Sequence, residues 1–297
     1  MKKYAILSIL MSGILWGCMG LFVRTLGGVG LTSMDIVFLR AVVTAAVMIL
    51  FLLIYDRKKL IIKLKDIWCF LGTGIASITF FNYCYFKCMT VASLSVAAVL
   101  LYTAPAIVMV LSYFLFRERF SVKKAISLVM TFAGCVLVTG VLGGDGVINA
   151  KGVLYGLGAG LGYALYSIFS RYALERGYNT FTITCYTFIV SALATIFFTD
   201  VHRVIGVACM DARLVALSVA LGIVCTVAPY ILYTLGLSHV ENGQASIIAS
   251  IEPVTASVIG VVVFDEKMTV QGVIGMVLVI VALVICNMRT NKRCSGE

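Results

Sequence analysis

The sequence is poor in charge: Asp, Glu, Lys and Arg make up 12% of its residues, about half of the roughly 25% typical of soluble domains. So few charged side chains cannot cover a surface that faces water, whereas 62% of the residues are hydrophobic. At about 20 apolar residues per span, the chain could fill roughly eight to ten membrane helices. The composition therefore excludes a soluble enzyme and predicts an all-α polytopic membrane protein.

The sequence also lacks the residue groups that metal, redox and nucleophilic chemistry require. Its two histidines, His202 and His239, fall in or beside predicted loops, and its ten cysteines contain no C-x-x-C pair. Cys84 and Cys88 share a helical face, but no His or carboxylate accompanies them. We therefore predict no metal site, no cofactor and no disulfide framework, and we disfavour a membrane enzyme.

The net charge of +10 raises the question of nucleic acid as a partner. The 23 basic residues form short clusters between apolar runs instead of one basic face or tail. This distribution favours the anionic inner leaflet of a lipid bilayer and argues against nucleic acid.

Apolar stretches long enough to span a bilayer recur ten times, and no connection between them has room for a soluble domain. The first run follows Lys2 and Lys3 but continues to Phe22 without a small-residue cleavage site, so we interpret it as a helix and not as a signal peptide. The predicted spans cover residues 5–23, 34–54, 67–86, 93–116, 125–142, 152–170, 180–198, 214–236, 244–264 and 270–288.

The loops differ in basic charge. With a cytoplasmic N-terminus, sixteen Lys and Arg residues fall on the inner side and six on the outer side, while Arg40 lies inside a span. The positive-inside rule then predicts that both termini are cytoplasmic. We expect a multi-pass protein of the plasma (inner) membrane of a bacterium.

The two halves of the chain repeat each other. Because each half holds five helices, the second copy enters the membrane from the opposite side, so the repeats are inverted. We place the first repeat at residues 1–147, the second at 148–290 and a cytoplasmic tail at 291–297. The halves match at an offset of 148 residues in Gly74, Tyr85, Ala97, Pro105, Glu118 and Val122 with Gly222, Tyr233, Ala245, Pro253, Glu266 and Val270, and at 147 in Trp16 with Tyr163 and in Phe22, Val23 and Arg24 with Phe169, Ser170 and Arg171.

Several short motifs carry a resemblance to a known family. They are Trp16 and Gly17, the Arg40 of Phe-Leu-Arg, Ala104 and Pro105 followed by Arg-Glu-Arg at 117–119, and Glu252 and Pro253 followed by Phe-Asp-Glu at 264–266. Over the whole chain they resemble the paired EamA-type domains of the drug/metabolite transporter superfamily. The resemblance implies a central substrate cavity lined by helices 1, 3, 4, 6, 8 and 9, peripheral helices 5 and 10, and export of amino acids, other metabolites or drugs.

Only two ionisable side chains fall well within predicted spans, Arg40 in helix 2 and Glu252 in helix 9. Each costs about 2.5–3.5 kcal/mol there on insertion scales, so both are candidates for a functional site. They could line the substrate route, or they could pair with each other and lock two helices together. The second half has Thr187 where the first has Arg40, so an arginine-dependent role exists once.

The three prolines of the chain, Pro105, Pro229 and Pro253, all fall inside spans. A proline in a helix removes one backbone hydrogen bond and clashes with the preceding turn. We predict that these residues act as hinges or kinks near the cavity; passive bending is the alternative.

Polar and aromatic residues at helical spacing mark the faces that point away from lipid. Trp16, Asn82, Tyr102, Tyr163 and Tyr230 lie deepest and are our candidates for the cavity, together with Arg40 and Glu252. An interfacial belt at the headgroup level is the alternative interpretation for several tyrosines, namely Tyr83, Tyr85, Tyr163, Tyr166 and Tyr233.

The inverted repeats favour alternating access, and the resemblance implies an exporter of small amphipathic metabolites such as amino acids. A multidrug or other metabolite permease is the alternative, followed by a non-transporting membrane scaffold. Glu252 makes proton coupling possible, while the spacing of residues leaves the substrate, the coupling ion and the oligomeric state open.

Overall fold

The computed structural model describes residues 2–141, 149–208 and 210–288, and over these residues it contains helices and no strand. Nine helices are long and apolar enough to cross a membrane, and a tenth, of 17 residues, lies beside them. The predicted ten-helix fold is confirmed. The ten are α1 (Lys2–Gly28), α2 (Ser33–Tyr55), α3 (Leu64–Val91), α4 (Leu94–Phe116), α5 (Val122–Val138), α6 (Ala150–Glu175), α7 (Thr180–Phe198), α8 (Ala212–Leu237), α9 (Asn242–Phe264) and α10 (Val270–Asn287).

The observed bounds differ most from the predicted ones at helix ends, with α1, α3 and α6 each ending five residues later, while the starts differ by at most three residues. Helix α5 starts at Val122 because the Ser121 hydroxyl accepts a hydrogen bond from the backbone N–H of Lys124, which satisfies one of the free N–H groups at a helix start. A short helix, Val201–Ala208, between α7 and α8 was not predicted. The predicted repeat boundary at 147 and 148, the tail at 291–297 and residue 142 of the fifth predicted span lie outside the described residues.

The repeat found in the sequence recurs in details of the backbone. Arg117 after α4 and Asp265 after α9 both adopt a left-handed conformation, with φ of 55° and 53°. The next residue in each half, Glu118 or Glu266, donates its backbone N–H to the carbonyl six residues earlier. The two halves therefore end their fourth helix in the same way.

Interruptions of the helices also match between the halves. Helix α4 consists of Leu94–Leu101 and Ala104–Phe116, and α9 consists of Asn242–Ala249 and Glu252–Phe264, the same positions shifted by 148 residues. A π-helical segment interrupts both α3 and α8. Such segments and broken helices free backbone groups inside the bundle, which is typical of helices beside a functional site.

The halves are intertwined. Helix α1 of the first half packs on α8 and α9 of the second, while α6 of the second packs on α3 and α4 of the first. At Gly13 of α1, an added Cβ would lie 2.7 Å from the carbonyl oxygen of Ala249 in α9. Glycine at this position therefore permits the close contact between α1 and the interrupted helix α9.

Helices α5 and α10 pack against each other, with Gly134 and Gly275 at their crossing. Helix α10 exposes a row of valines on its outer side, as expected for a surface in lipid. Because ten helices cross the bundle in succession, the start of α1 and the end of α10 lie on the same side of it. We call this side the terminal face, with loops at 56–63, 117–121, 176–179 and 238–241; the opposite face has loops at 29–32, 92–93 and 265–269.

Candidate functional site

An aromatic cluster lies where α1, α6 and α8 meet. The ring of Trp16 in α1 lies 6.2 Å from that of Tyr163 in α6 and 5.2 Å from that of Tyr230 in α8. Tyr166 and Tyr233 complete the cluster, with the Trp16 and Tyr233 rings 5.4 Å apart and the Tyr166 and Tyr230 rings 4.9 Å apart. These are ordinary edge-to-face and tilted contacts, which pack tightly without excluding a ligand.

The cluster surrounds a small cavity, closed on the α3 side by Ser77, Ile78 and Phe81. Its volume is about 20 Å³, room for about one water molecule. A metabolite therefore requires rearrangement of the helices that line it. Those helices come from both halves of the chain, α1 and α3 from the first and α6 and α8 from the second.

Three predicted cavity residues, Trp16, Tyr163 and Tyr230, meet at this cavity. Tyr166 and Tyr233, for which the sequence favours either the bundle interior or an interfacial belt, also line it. Both of the latter are buried, so the interfacial-belt interpretation is wrong for them. Each follows one of the candidate tyrosines, Tyr163 or Tyr230, by three residues and so shares its helical face, a signal that the sequence contains. Their hydroxyls pair with polar groups between α6 and α8, Tyr166 with Thr234 at 2.8 Å and Tyr233 with Ser167 at 2.7 Å.

Glu252 begins the second segment of α9, directly after the interruption at residues 250 and 251. Its side chain is half-buried, and its carboxylate accepts a hydrogen bond from the Tyr163 hydroxyl at 3.3 Å. Tyr102 lies at the matching interruption of α4 and packs against the core of the bundle. Glu252 thus joins the aromatic cluster to the interruption of α9.

Arg40 is buried, with 3% of its surface exposed, and has weak partners. One terminal nitrogen donates to Oδ1 of Asn82 at 3.4 Å and the other to Sδ of Met19 at 3.3 Å, while Nε has no acceptor. No carboxylate of the described residues lies within 4 Å of the guanidinium. Arg40 and Glu252 therefore do not form the helix lock that the sequence left open, and the arginine retains capacity for an anionic group.

The three prolines lie directly after places where the regular α-helical hydrogen bonding of their helices is interrupted. Pro105 and Pro253 are each the second residue of the segment after a break in α4 or α9, and Pro229 has the same place after the π-helical segment of α8. After the breaks in α4 and α9 the missing N–H of proline falls in the first turn of a segment and removes no intrahelical bond, whereas Pro229 lies within the continuous helix α8 and removes one. Their action as hinges stays a prediction.

Two donors at the cavity have no hydrogen-bond partner in the described part of the protein, the indole N–H of Trp16 and the hydroxyl of Ser77. Buried polar groups are normally paired, since leaving one unpaired costs about 1–3 kcal/mol. These donors, Glu252 and the aromatic faces together offer polar and apolar contacts within one small space.

Comparisons with known proteins give one consistent result. A family model described as the EamA-like transporter family matches residues 3–140 and 150–288. A protein of Archaeoglobus fulgidus named as an uncharacterized transporter is 27% identical over 293 residues, which cover 95% of this chain and 96% of that protein. The Bacillus subtilis protein named as uncharacterized transporter YxxF is 23% identical, with 99% and 93% covered. A crystal structure with a TM-score of 0.79 and 20% identity, covering 96% of both chains, has the same fold.

Proposed function

The chain belongs to the EamA-like transporter family, and from that premise we propose that it exports small amphipathic metabolites, such as amino acids, by alternating access. The protein is a multi-pass membrane transporter that acts on small-molecule substrates. The direction of transport and the class of substrate are what we propose beyond this.

One observation carries the proposal: a small aromatic cavity lies between the two inverted halves and is lined in part by α3 and α8, each of which contains a π-helical segment. The interruption of α9 lies beside it, since Glu252 accepts a hydrogen bond from Tyr163. Discontinuous helices near the midplane form substrate sites in many transporters built from inverted repeats. Rocking of the halves would open the cavity to each face in turn. The volume of about 20 Å³ fits a closed arrangement.

The charges around the cavity favour a zwitterionic substrate. Glu252 offers a carboxylate to an ammonium group, which the faces of Trp16 and Tyr163 also stabilise through cation–π attraction. Arg40 lacks a carboxylate partner and suits the carboxylate of a substrate. Aromatic side chains accept the apolar part, so one molecule can use all three kinds of contact.

The orientation rests on the distribution of basic residues. The terminal face carries most of the Lys and Arg residues, including clusters at 57–65 and 117–124. The positive-inside rule supports a cytoplasmic terminal face, and we propose that both termini are cytoplasmic in a protein of a bacterial plasma membrane. Export then means binding from the terminal face and release at the opposite face.

Counterflow in vesicles tests the substrate class. We expect purified protein to exchange neutral amino acids, and not sugars or cationic dyes. The Tyr230→Ala variant should exchange bulky amino acids about tenfold more slowly, a loss of about 1.4 kcal/mol that matches one aromatic contact. Phe114→Ala, an exposed position of α4, serves as the control. Exchange of dyes alone would support the multidrug alternative, and no exchange by folded protein would support a scaffold.

The same vesicles test proton coupling at Glu252. Glu252→Gln keeps the size of the side chain and removes its charge. If the carboxyl group carries the coupling proton, this variant should retain exchange of substrate for substrate and lose accumulation driven by a pH gradient. Glu175→Gln, an exposed acid at the end of α6, is the matched control. Unchanged gradient-driven transport in Glu252→Gln would exclude this residue as the coupling group.

A further inference from the structure

A second cavity lies at the terminal face, away from the aromatic cluster. It has a volume of about 330 Å³ and lies between the loop that joins α2 to α3 and the loop that joins α6 to α7. We call it the basic cleft, since four cationic side chains line it. They are Lys58, Lys59, Lys63 and Arg176, and the remaining lining residues are Ile61, Gly177, Tyr178, Asn179 and Thr182.

Hydrogen bonds fix the two sides of the basic cleft relative to each other. The Tyr178 hydroxyl accepts the backbone N–H of Lys63 at 3.0 Å and donates to Asp66 at 2.8 Å. The Thr182 hydroxyl, at the start of α7, donates to the backbone carbonyl of Lys59 at 2.7 Å. The cleft is thus a defined structure, and not a chance gap between two loops.

The cleft carries more positive charge than its acids neutralise. Lys59 pairs with Asp56 at 3.6 Å, and Arg176 pairs with Asp66 at 3.1 Å. Lys58 and Lys63 line the same cleft, and within the described residues neither side chain has a carboxylate within 4 Å. Two unpaired ammonium groups in one cleft favour an anion, and a phosphate group is the anion that lysine binds well as a point charge.

Large apolar side chains lie exposed beside these cations. Ile61, which lines the cleft, is 75% exposed, and Leu64 is 83% exposed. Both lie within two residues of Lys63 in the chain, so apolar and cationic side chains are close together here. A soluble anion gives no reason for the exposed apolar residues, whereas a molecule with a phosphate and acyl chains contacts both kinds of side chain.

We infer that the basic cleft binds the headgroup phosphate of an anionic phospholipid, with the acyl chains of the lipid beside Ile61 and Leu64. Lys58 and Lys63 contact the phosphate, and the paired Lys59 and Arg176 define the walls of the cleft. Such a lipid would tie α2, α3, α6 and α7 together at the terminal face. The site is separate from the aromatic cavity, so it stands or falls independently of the transported substrate.

Purified protein in a neutral detergent tests this site by calorimetric titration. The probes are dioctanoyl phosphatidylglycerol, dioctanoyl phosphatidylcholine with the same chains, and inorganic phosphate without chains. We expect phosphatidylglycerol to bind most tightly. The double variant Lys58→Gln with Lys63→Gln should weaken its binding about 30-fold, since each lysine near an anionic lipid contributes about 1 kcal/mol.

The double variant Arg57→Gln with Lys65→Gln is the matched control. It removes the same charge from the same loop, but neither residue lines the basic cleft, so its phosphatidylglycerol affinity should stay within about twofold. Equal weakening in both double variants would mean diffuse attraction and overturn the site. Inorganic phosphate binding as tightly as phosphatidylglycerol would overturn the lipid in favour of a soluble anion.

Discussion

Each face of the bundle has an arginine and a glutamate at equivalent positions of the repeat, but their side chains have different partners on the two faces. On the opposite face, Arg24 pairs directly with Glu266 at 2.6 Å, and the two side chains are 52% and 48% exposed. On the terminal face, the equivalent residues, Arg171 and Glu118, both bind Asn242. The opposite face therefore has one exposed ion pair, whereas the terminal face has a hydrogen-bond network around the buried Asn242.

The network on the terminal face centres on Asn242, the first residue of α9. Its backbone N–H donates to Glu118 at 2.7 Å, and its side-chain oxygen accepts from Nε of Arg171 at 2.9 Å. The side-chain amide also donates to Ser112 at 3.2 Å. Because Asn242 is buried, these bonds exclude water and connect α4, α6 and α9.

One substitution within the repeat explains the difference. The position equivalent to Asn242 is Leu94, which is 57% exposed and offers no side-chain hydrogen bond. Without an amide between them, the arginine and the glutamate of the opposite face pair directly and in water, where such a pair contributes about 0–1 kcal/mol. We therefore expect the opposite face to open at lower cost than the terminal face.

The largest effect should come from Asn242→Leu, which gives the terminal face the residue of the opposite face. It removes the acceptor of Arg171 Nε and the donor to the Ser112 hydroxyl, while Arg171 keeps its hydrogen bond to the Val240 carbonyl. Two unpaired groups at about 1–3 kcal/mol each should lower the free energy of unfolding by about 3 kcal/mol. Chemical denaturation in mild detergent measures the loss.

Asn287→Leu, at the end of α10 on the same face, makes the same exchange at a half-buried asparagine outside the network, where it breaks the hydrogen bonds of Asn287 with Gln244 and with the Leu283 carbonyl. The free energy of unfolding should fall clearly less in Asn287→Leu than in Asn242→Leu. Equal losses in the two variants would remove Asn242 from its central place in the network.

An intermediate effect should separate Glu118→Gln from Glu266→Gln, the same change at equivalent positions. Glu118 accepts two backbone N–H groups, from Asn242 and Gly243, and lies 4.0 Å from Nζ of Lys124. Hydrogen bonds to charged groups are worth about 1.5–3 kcal/mol each, so Glu118→Gln should lower the free energy of unfolding by about 2 kcal/mol.

Glu266→Gln should lower the free energy of unfolding by less than about 1 kcal/mol, because its pair is half-exposed. Added salt should reduce the effect of Glu266→Gln and leave that of Glu118→Gln nearly unchanged, since buried charges are poorly screened. The same salt dependence in both variants would contradict the distinction between the faces.

The sequence predicts the ten spans, the inverted repeat and the meeting of Trp16, Tyr163 and Tyr230, because apolar length, the offset of 148 residues and helical spacing are local signals. It does not predict the network around Asn242. Arg171, Glu118 and Asn242 come from three distant segments near span ends, where composition gives no register between helices. Asn242 also precedes the predicted start of its span at residue 244, so it was interpreted as part of a loop.

The smallest effect should come from Leu94→Asn, which supplies the opposite face with the amide of the terminal face. Leu94 is exposed, so its loss removes little packing. An asparagine here could accept from Arg24 as Asn242 does from Arg171, and we expect a gain of about 0.5 kcal/mol in the free energy of unfolding. Because the amide would hold the opposite face closed, counterflow should also slow by about twofold.

Leu94→Ala removes the same leucine without an amide and should change neither quantity. If Leu94→Asn behaves like Leu94→Ala, the amide alone does not account for the difference between the faces, and the buried Lys124, which pairs with Glu241 and has Gly272 as its equivalent, becomes the residue to exchange next.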